Sequence, residues 1–288
     1  MSNKHILITG ATSGIGLASA VALAKTKATI IIIGRSPSKC QTAVTHIKQQ
    51  SNNQNVQYLV ADLSNINATR AIANVYQEKF NRLDVLINNA GGLFKERRLS
   101  ADGYEMNVAL NHIGPFVLTN QLRPLLLKTA QANPSFGARV INVSSDAHRL
   151  GIDWDNLMSE KSYSQLSAYG QSKTMLNMFT FELARRLAGT GVTVNALHPG
   201  AVQTDIAKKD GNSLLSLIFA FLGRLFFRTP EKGANTTVYL ATSPAVAGVT
   251  GKYFVDEKIK EVHPSNQNPQ DWVNLWTKTE IWVATAKN

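Results

Sequence analysis

The sequence predicts an α/β fold, a single doubly wound parallel sheet of about seven strands with helices on both faces. Three features carry that expectation. Short β-branched runs alternate with longer segments of helical period along most of the 288 residues. The runs are mostly continuous in apolar residues instead of alternating strictly with polar ones, as strands covered on both faces are. A glycine-rich turn separates the first run from the first helical segment. Right-handed crossovers between parallel strands then produce the double winding.

The elements follow in order. "HILIT" at 5–9 is the first strand, and "TGATSGIG" (Thr9 to Gly16) leads into a helical segment at Ser13–Lys25. "TIIIIG" at 29–34 is the second strand, followed by helical period over Pro37–Gln50, and "VQYLV" at 56–60 precedes another over Ile66–Phe80. "DVLIN" at 84–88, "RVINVS" at 139–144 and "TVNAL" at 193–197 continue the strands, with a helix over Leu166–Leu187 before the last of them. No linker, repeat or composition break divides the chain, so residues 1–288 read as one domain.

Composition excludes several classes of protein. Hydrophobic residues make up 44% and charged ones 17%, with no low-complexity tract, which is a globular composition. Cys40 is the only cysteine, which rules out an internal disulfide and a cysteine-built metal site; no metal is expected. The first strand begins at His5, so no secretory signal is expected ahead of the fold, and no apolar run reaches the ~20 residues that span a bilayer. The expected setting is cytoplasmic. The net charge of +11 is scattered, its longest runs being pairs such as Arg97-Arg98, Arg185-Arg186 and Lys208-Lys209. Nucleic-acid binding proteins gather their charge on one face or arm, so nucleic acid is not an expected partner. A general attraction for anions is, whether phosphorylated cofactors or an acidic membrane surface.

The glycines at 10, 14 and 16 lie where a Rossmann-type sheet presents a helix N-terminus to a pyrophosphate. Tight helix–strand packing also uses glycine, so the turn alone is weak evidence; its place between the first strand and the first helix makes nucleotide binding the better reading. At the end of the second strand an NAD-selective fold places an acid, and here Gly34 stands there with Arg35 next. A guanidinium suits a 2′-phosphate that an acid would repel, so NADP(H) is the expected cofactor, a solvated arginine being the plainer alternative. Further on, "YGQSK" puts Tyr169 and Lys173 one helical turn apart on one face. An ammonium there is expected to lower the tyrosine pKa from its usual value near 10 towards a range useful for acid–base work. "VINVSSDA" ends a strand in Ser144 and Ser145 at the cofactor's edge of the sheet, and either hydroxyl could hold a substrate oxygen.

With these motifs in order, the chain resembles the short-chain dehydrogenase/reductase family across nearly its whole length. It carries the family's T-G-x-x-x-G-x-G as Thr9, Gly10, Gly14 and Gly16, and the N-N-A-G as Asn88 to Gly91. The Y-x-x-x-K is Tyr169 and Lys173, Ser145 best matches the strand-end serine, Asn111 in "LNHIG" matches the fourth catalytic position, and "HPGAVQT" at 198–204 matches the P-G segment. The resemblance implies a set of roles. Gly10, Thr12, Ser13, Gly14, Ile15 and Gly16 would face the pyrophosphate, with Arg35 at the 2′-phosphate. Asp62 and Leu63 would flank the adenine, and Asn89, Ala90 and Gly91 would pass the adenosine ribose. Pro199, Gly200, Val202 and Thr204 would hold the nicotinamide. Tyr169 would exchange a proton with the substrate oxygen that Ser145 orients. Lys173 would tune the tyrosine and bind the nicotinamide ribose, and Asn111 would help anchor a relay water. Structural readings stand beside these: Asn88 could tie adjacent strands, Asn111 could serve a helix kink before Gly114-Pro115, and Asp62 could cap the next helix.

"SSDAHRLG", "ELARRLAGTGV" and "TGKYF" resemble the retinol-dehydrogenase-like branch, which implies a lipophilic alcohol or carbonyl substrate. The stretch "LLSLIFAFLGRLFF" at 214–227 falls in a substrate-covering insertion expected at about 205–230, and eleven of its fourteen residues are apolar. As a helix it would reach only about 21 Å, too short for a ~30 Å hydrocarbon core. A lid over an apolar pocket, a peripheral membrane contact and ordinary packing are the three readings, the lid being favoured by its position in the chain. Two readings from other classes accompany the enzyme: a catalytically silent NADP-binding sensor and a basic membrane-associated interaction protein.

Overall fold

The computed structural model describes residues 1–200 and 228–286; Val202, Thr204 and the 214–227 stretch lie outside the described residues. The sheet comprises β1 (His5–Thr9), β2 (Thr29–Gly34), β3 (Val56–Val60), β4 (Val85–Asn88), β5 (Ala138–Val143), β6 (Val192–His198), β7 (Tyr253–Val255) and β8 (Lys258–Lys260). Their order across the sheet is β3-β2-β1-β4-β5-β6-β7-β8. All neighbours are parallel except β7 and β8. The expected count of about seven parallel strands thus describes all but the last, and an eighth, antiparallel strand closes the edge. Asp256 and Glu257, with φ of 51° and 63°, form the two-residue turn that reverses the chain. "KIK" is short, charged and exposed on every residue, so it has no apolar run by which a strand could be recognised. The same lysines discourage another chain from adding to that edge.

The helices are α1 (Gly14–Ala24), α2 (Pro37–Ser51), α3 (Ile66–Lys79), the single turn α4 (Met106–Val108), α5 (Gly114–Ala132), α6 (Gln165–Arg186), α7 (Pro230–Thr242) and α8 (Pro269–Thr285). On one face of the sheet α1 packs against α2 and α7, over Ile6, Ile8, Ile30, Ile32, Val85 and Ile87. On the other, α3, α5 and α6 cover Leu7, Ile31, Ile33, Leu86, Val140 and Val194, with α8 laid on α6. Alternate residues of β1 and β2 therefore enter different cores, which is why those strands are apolar at every inner position. Inside the sheet a buried polar chain runs from Thr119 through Asn88 and Asn142 to Thr180. Asn88 Nδ2 donates to Thr119 Oγ1 (3.0 Å) and Asn142 Oδ1 (2.8 Å), and Asn142 Nδ2 to Thr180 Oγ1 (2.8 Å). Asn88 thus ties β4 to β5.

Between α4 and α5 the helix widens into a π turn over Ala109–Ile113. Its His112 is fully buried against Phe116 and Phe179, with Nε2 2.8 Å from Thr279 Oγ1 on α8. Thr279 donates its proton to Leu275 O (2.8 Å), so the imidazole is the donor to Thr279 and carries its proton on Nε2. Burial pulls the His112 pKa from 6.5 down to about 3. The unfolded chain therefore takes up a proton below pH 6.5 that the folded one refuses, and stability is lost as the pH falls through that window. The loss approaches ~1.4 kcal/mol per pH unit for this group. Urea unfolding at pH 7 and pH 5 should show a smaller pH-dependent loss in His112→Gln than in wild type; equal slopes would remove His112 from the account.

Candidate active site

The site is built on the carboxyl edge of the parallel strands. β1 delivers Thr9, whose Oγ1 accepts from the N–H groups of Asn89 and Ala90 (both 2.9 Å) at the end of β4. Asn89 returns the connection, donating Nδ2 to Thr9 O (2.8 Å) and Gly10 O (3.2 Å). The glycine turn is thus lashed to the neighbouring strand end, and the Asn89 amide is spent on that tie. Gly10 sits at φ 67°, and a Cβ on it would lie 2.7 Å from Ala90 Cα. A Cβ on Gly16 would come within 2.4 Å of Asn89 Nδ2 and 2.6 Å of Gly10 O. Only bare backbone fits either place. Ser13 begins α1 without a side-chain cap, so the first-turn N–H groups beyond it face the cavity with the helix dipole behind them.

That cavity, of about 710 Å³, runs from the end of β2 across the glycine turn to the ends of β5 and β6. Most of the residues expected at a cofactor line it: Gly10, Thr12 to Gly16, Arg35, Leu63, Asn89 to Gly91, Tyr169, Lys173, Pro199 and Gly200. Two do not. The Asp62 carboxylate turns into its own loop and accepts from Ser64 N (3.0 Å) and Ser64 Oγ (2.7 Å), an Asx turn, while the cap of α3 is Asn65 and not Asp62. Asn111, in the π turn, is fully buried behind the wall. Its Oδ1 accepts from Gly92 N (2.9 Å), and its Nδ2 donates to Gly92 O (3.0 Å) and Ser172 Oγ (2.9 Å). Ser172 in turn donates to Tyr169 O (2.7 Å). The Asn111 side chain therefore clamps the loop after β4 to the start of α6, and its polar atoms are used in doing so.

The lining also includes residues not foreseen: Ser36 and Lys39 beside Arg35, Gly92, Leu110 and His198. "GRSPSK" held the signal for the first two, since Ser36 caps α2 and places Lys39 on its first turn. Among the described lining residues there is no carboxylate, while Arg35, Lys39 and Lys173 are cations. The glycine cradle, an open helix start and an acid-free basic end all fit a phosphorylated dinucleotide.

At the β5 end the two serines separate. Ser144 is buried, with Oγ turned to Lys173 O (3.4 Å). Ser145 is half-buried, and its hydroxyl hydrogen-bonds with Tyr169. Ser145 is therefore the serine that faces the tyrosine. Lys173 is buried, donates to Val143 O (2.9 Å) and stands 5.6 Å from the centre of the Tyr169 ring. The expected depression of the tyrosine does not occur. Burial pushes the Tyr169 hydroxyl above its ordinary value, opposed by the Ser145 hydrogen bond. Burial also pulls Lys173 from 10.5 down to about 8. The lysine is held by a backbone carbonyl and lies over the ring, so desolvation outweighs charge. Tyr169 is consequently protonated throughout the neutral range.

The sequence model of the short chain dehydrogenase family matches residues 4–214. Retinol dehydrogenase 14 of Mus musculus is 38% identical over 299 residues, covering 100% of this chain and 88% of that protein. Polyprenol dehydrogenase of Homo sapiens is 38% identical over 282 residues, covering 96% and 84%. Among solved structures, the Pseudomonas aeruginosa RhlG/NADP active-site complex superposes with a TM-score of 0.71 at 30% identity, covering 88% of this chain and 94% of that one. Among the described residues no helix is long and apolar enough to cross a membrane.

The glycine contacts give a direct test of how closely the turn is packed. Gly16→Ala must displace Asn89 or the Gly10 carbonyl, and should destabilise the fold by about 1–3 kcal/mol, read as a lower urea midpoint with an unchanged slope. An unshifted midpoint would show that the turn has room to give.

Proposed function

The chain belongs to the short-chain dehydrogenase family, and on that premise we propose that it is an NADP(H)-dependent oxidoreductase acting on a lipophilic carbonyl or alcohol. The observation that carries this reading is the single cavity with the glycine turn at its middle, cations and no acid at one end, and Ser145, Tyr169 and Lys173 at the other. The cofactor would bind along Gly10–Gly16, with Arg35 and Lys39 at the adenosine phosphate and Pro199 and Gly200 at the nicotinamide, and would supply or accept the hydride.

The chain's own residues do the rest. Ser145 donates to the substrate oxygen and fixes its position against Tyr169. In reduction a C–H bond forms at the carbonyl carbon, the π pair moves to the oxygen, and that oxygen takes the Tyr169 proton. Oxidation is the reverse, with the tyrosine as base. A tyrosine pushed above its ordinary pKa holds the proton that reduction needs. Lys173 keeps two N–H groups beyond its bond to Val143 O, enough to reach ribose hydroxyls. The lipophilic substrate class is supported by the names of the relatives, which place retinol and polyprenol in similar enzymes. The exposed Leu150 and Leu166 beside the start of α6 and the apolar sequence at 214–227 agree with it.

Two outcomes test the reading. Tyr169→Phe removes the proton donor with little change of shape, and turnover of a long-chain aldehyde should fall by ~10²–10⁴ while NADPH still binds; near-normal turnover would end the proposal. NADPH should be preferred to NADH, and Arg35→Ala should raise KM for NADPH by about tenfold or more while barely moving that for NADH, as loss of a charge-assisted contact does. Equal losses for both cofactors would make Arg35 structural.

A further inference from the structure

Immediately after Ser145 the chain makes a tight 3-10 turn over Asp146–Leu150, and Ser145 Oγ accepts from Ala147 N (3.2 Å) at its start. Inside that turn His148 is completely buried. Its Nδ1 lies 2.8 Å from the carbonyl oxygen of Ser145, and its Nε2 lies 3.3 Å from the backbone nitrogen of His263. A backbone N–H can only donate, so Nε2 is the bare nitrogen and the ring proton is on Nδ1, where it donates to Ser145 O. The His148 N–H also points at that oxygen (3.2 Å), so the Ser145 carbonyl receives two donors from one residue. His148 is itself held on all sides. Its carbonyl accepts from Thr174 Oγ1 (2.9 Å), one residue past Lys173, and from Asn266 Nδ2 (3.4 Å). The Tyr253 ring meets the imidazole edge-on at 4.9 Å.

The Ser145 peptide therefore has its orientation set from behind. The N–H of the same peptide, on Asp146, meets His198 Nδ1 (3.2 Å). Without the His148 Nδ1 bond its carbonyl end would be held by the 3-10 turn alone, and Ser145 Oγ, which already accepts from Ala147 N, would be held less firmly on Tyr169.

We propose that His148 is a positioning residue for the reaction: a neutral, Nδ1-protonated imidazole, locked by the His263 backbone, that sets the Ser145 peptide so its hydroxyl stays on Tyr169. The inference rests on the oxidoreductase reading above. It makes the segment around His263–Asn266, far along the chain and absent from the cavity wall, a determinant of active-site geometry.

Two amides of graded length separate the two bonds. His148→Asn keeps a donor near the Nδ1 position and loses the distal acceptor; His148→Gln keeps an acceptor near Nε2 and loses the donor to Ser145. In the full chain, with NADPH and a long-chain aldehyde, His148→Gln should lower kcat by ~10-fold or more, the scale of a sub-ångström misplacement. KM for NADPH should not change, and His148→Asn should stay within about threefold of wild type for the same reason. Equal kcat losses that track the loss of thermal midpoint would show a structural role and overturn the proposal, as would wild-type kcat in both. Ser145→Ala serves as the reference: if it too turns over normally, the oxidoreductase reading fails and not His148. Should neither His148 variant fold, His263→Pro removes the N–H that fixes the tautomer at a residue whose φ of −57° proline accepts. It should lower kcat with KM for NADPH unchanged, and an unchanged kcat would overturn the proposal.

Discussion

Parallel strands buried on both faces deliver their chain ends to one edge, because each crossover returns the chain to the opposite edge before the next strand starts. Here that constraint gathers Gly10 from β1, Arg35 from β2, Asn89 from β4, Ser145 from β5 and Pro199 from β6 along a single rim. Residues more than a hundred positions apart meet without any long excursion of loop. The rim is then made rigid by short polar ties that run along it: Thr9 with Asn89 and Ala90, Asn88 with Asn142, and Asn111 with Gly92 and Ser172. Each tie satisfies backbone or side-chain groups that burial would otherwise leave unpaired, so stability and site geometry depend on the same bonds.

The electrostatics follow from what the rim lacks. With cations at Arg35, Lys39 and Lys173 and no carboxylate in the described lining, the cavity has no internal countercharge. Lys173 bears the consequence most directly, being buried against a carbonyl with its pKa pulled to about 8. An anion brought into such a cavity supplies the missing charge and favours the ammonium again. The pocket is in this sense arranged for a phosphorylated ligand before one arrives. The tyrosine responds in the opposite sense, because burial favours its neutral form, and neutral is the form that donates a proton.

Much of this was legible in the sequence, for physical reasons that differ from part to part. The strands "HILIT" and "TIIIIG" occupy the positions read from their apolar runs, since a strand covered on both faces has no polar face to confuse the pattern. "VQYLV", at the sheet edge with Gln57 and Val60 exposed, was still legible from its β-branched and aromatic residues. Helix boundaries fell within a residue or two of the 3.6 period. The strand "KIK" was not legible, because an exposed charged edge carries no apolar signal. In the site, glycine spacing and the Tyr169–Lys173 interval reported real proximity. The side-chain partners did not show through. That Asp62 bonds Ser64, that Asn111 holds Gly92 and Ser172, and that Lys173 lies over the tyrosine ring are matters of rotamer and tertiary contact. A motif states which residues are near the chemistry, whereas burial decides what their protons do.

The last part of the chain has a larger share in the site than its distance from the motifs suggests. Arg228 pairs with Asp256 in the β7–β8 turn and lies against Gly200, where a Cβ would come within 2.6 Å of the arginine. On the other side of β6, His263 N–H and Asn266 hold His148, and Tyr253 closes on the same imidazole. Further out, Trp276 of α8 packs on Phe179 of α6 and Phe116 of α5, the helices that carry Tyr169 and follow Asn111. An exposed ion pair such as Arg228–Asp256 contributes little stability by itself. Its place beside Gly200 matters more, because it anchors the described end of the chain after residue 227 to the strand next to the cavity. The hydrogen bonds that tie the nucleotide turn to the end of β4 lie within the first ninety residues, but Ser145 acquires its full set of supports only when residues 253–266 are in place. The cofactor half and the chemical half of this fold therefore differ in contact order. Loss of the packing by residues 253–266 would disorder the chemical half first, because the turn around Gly10 takes none of its hydrogen bonds from them.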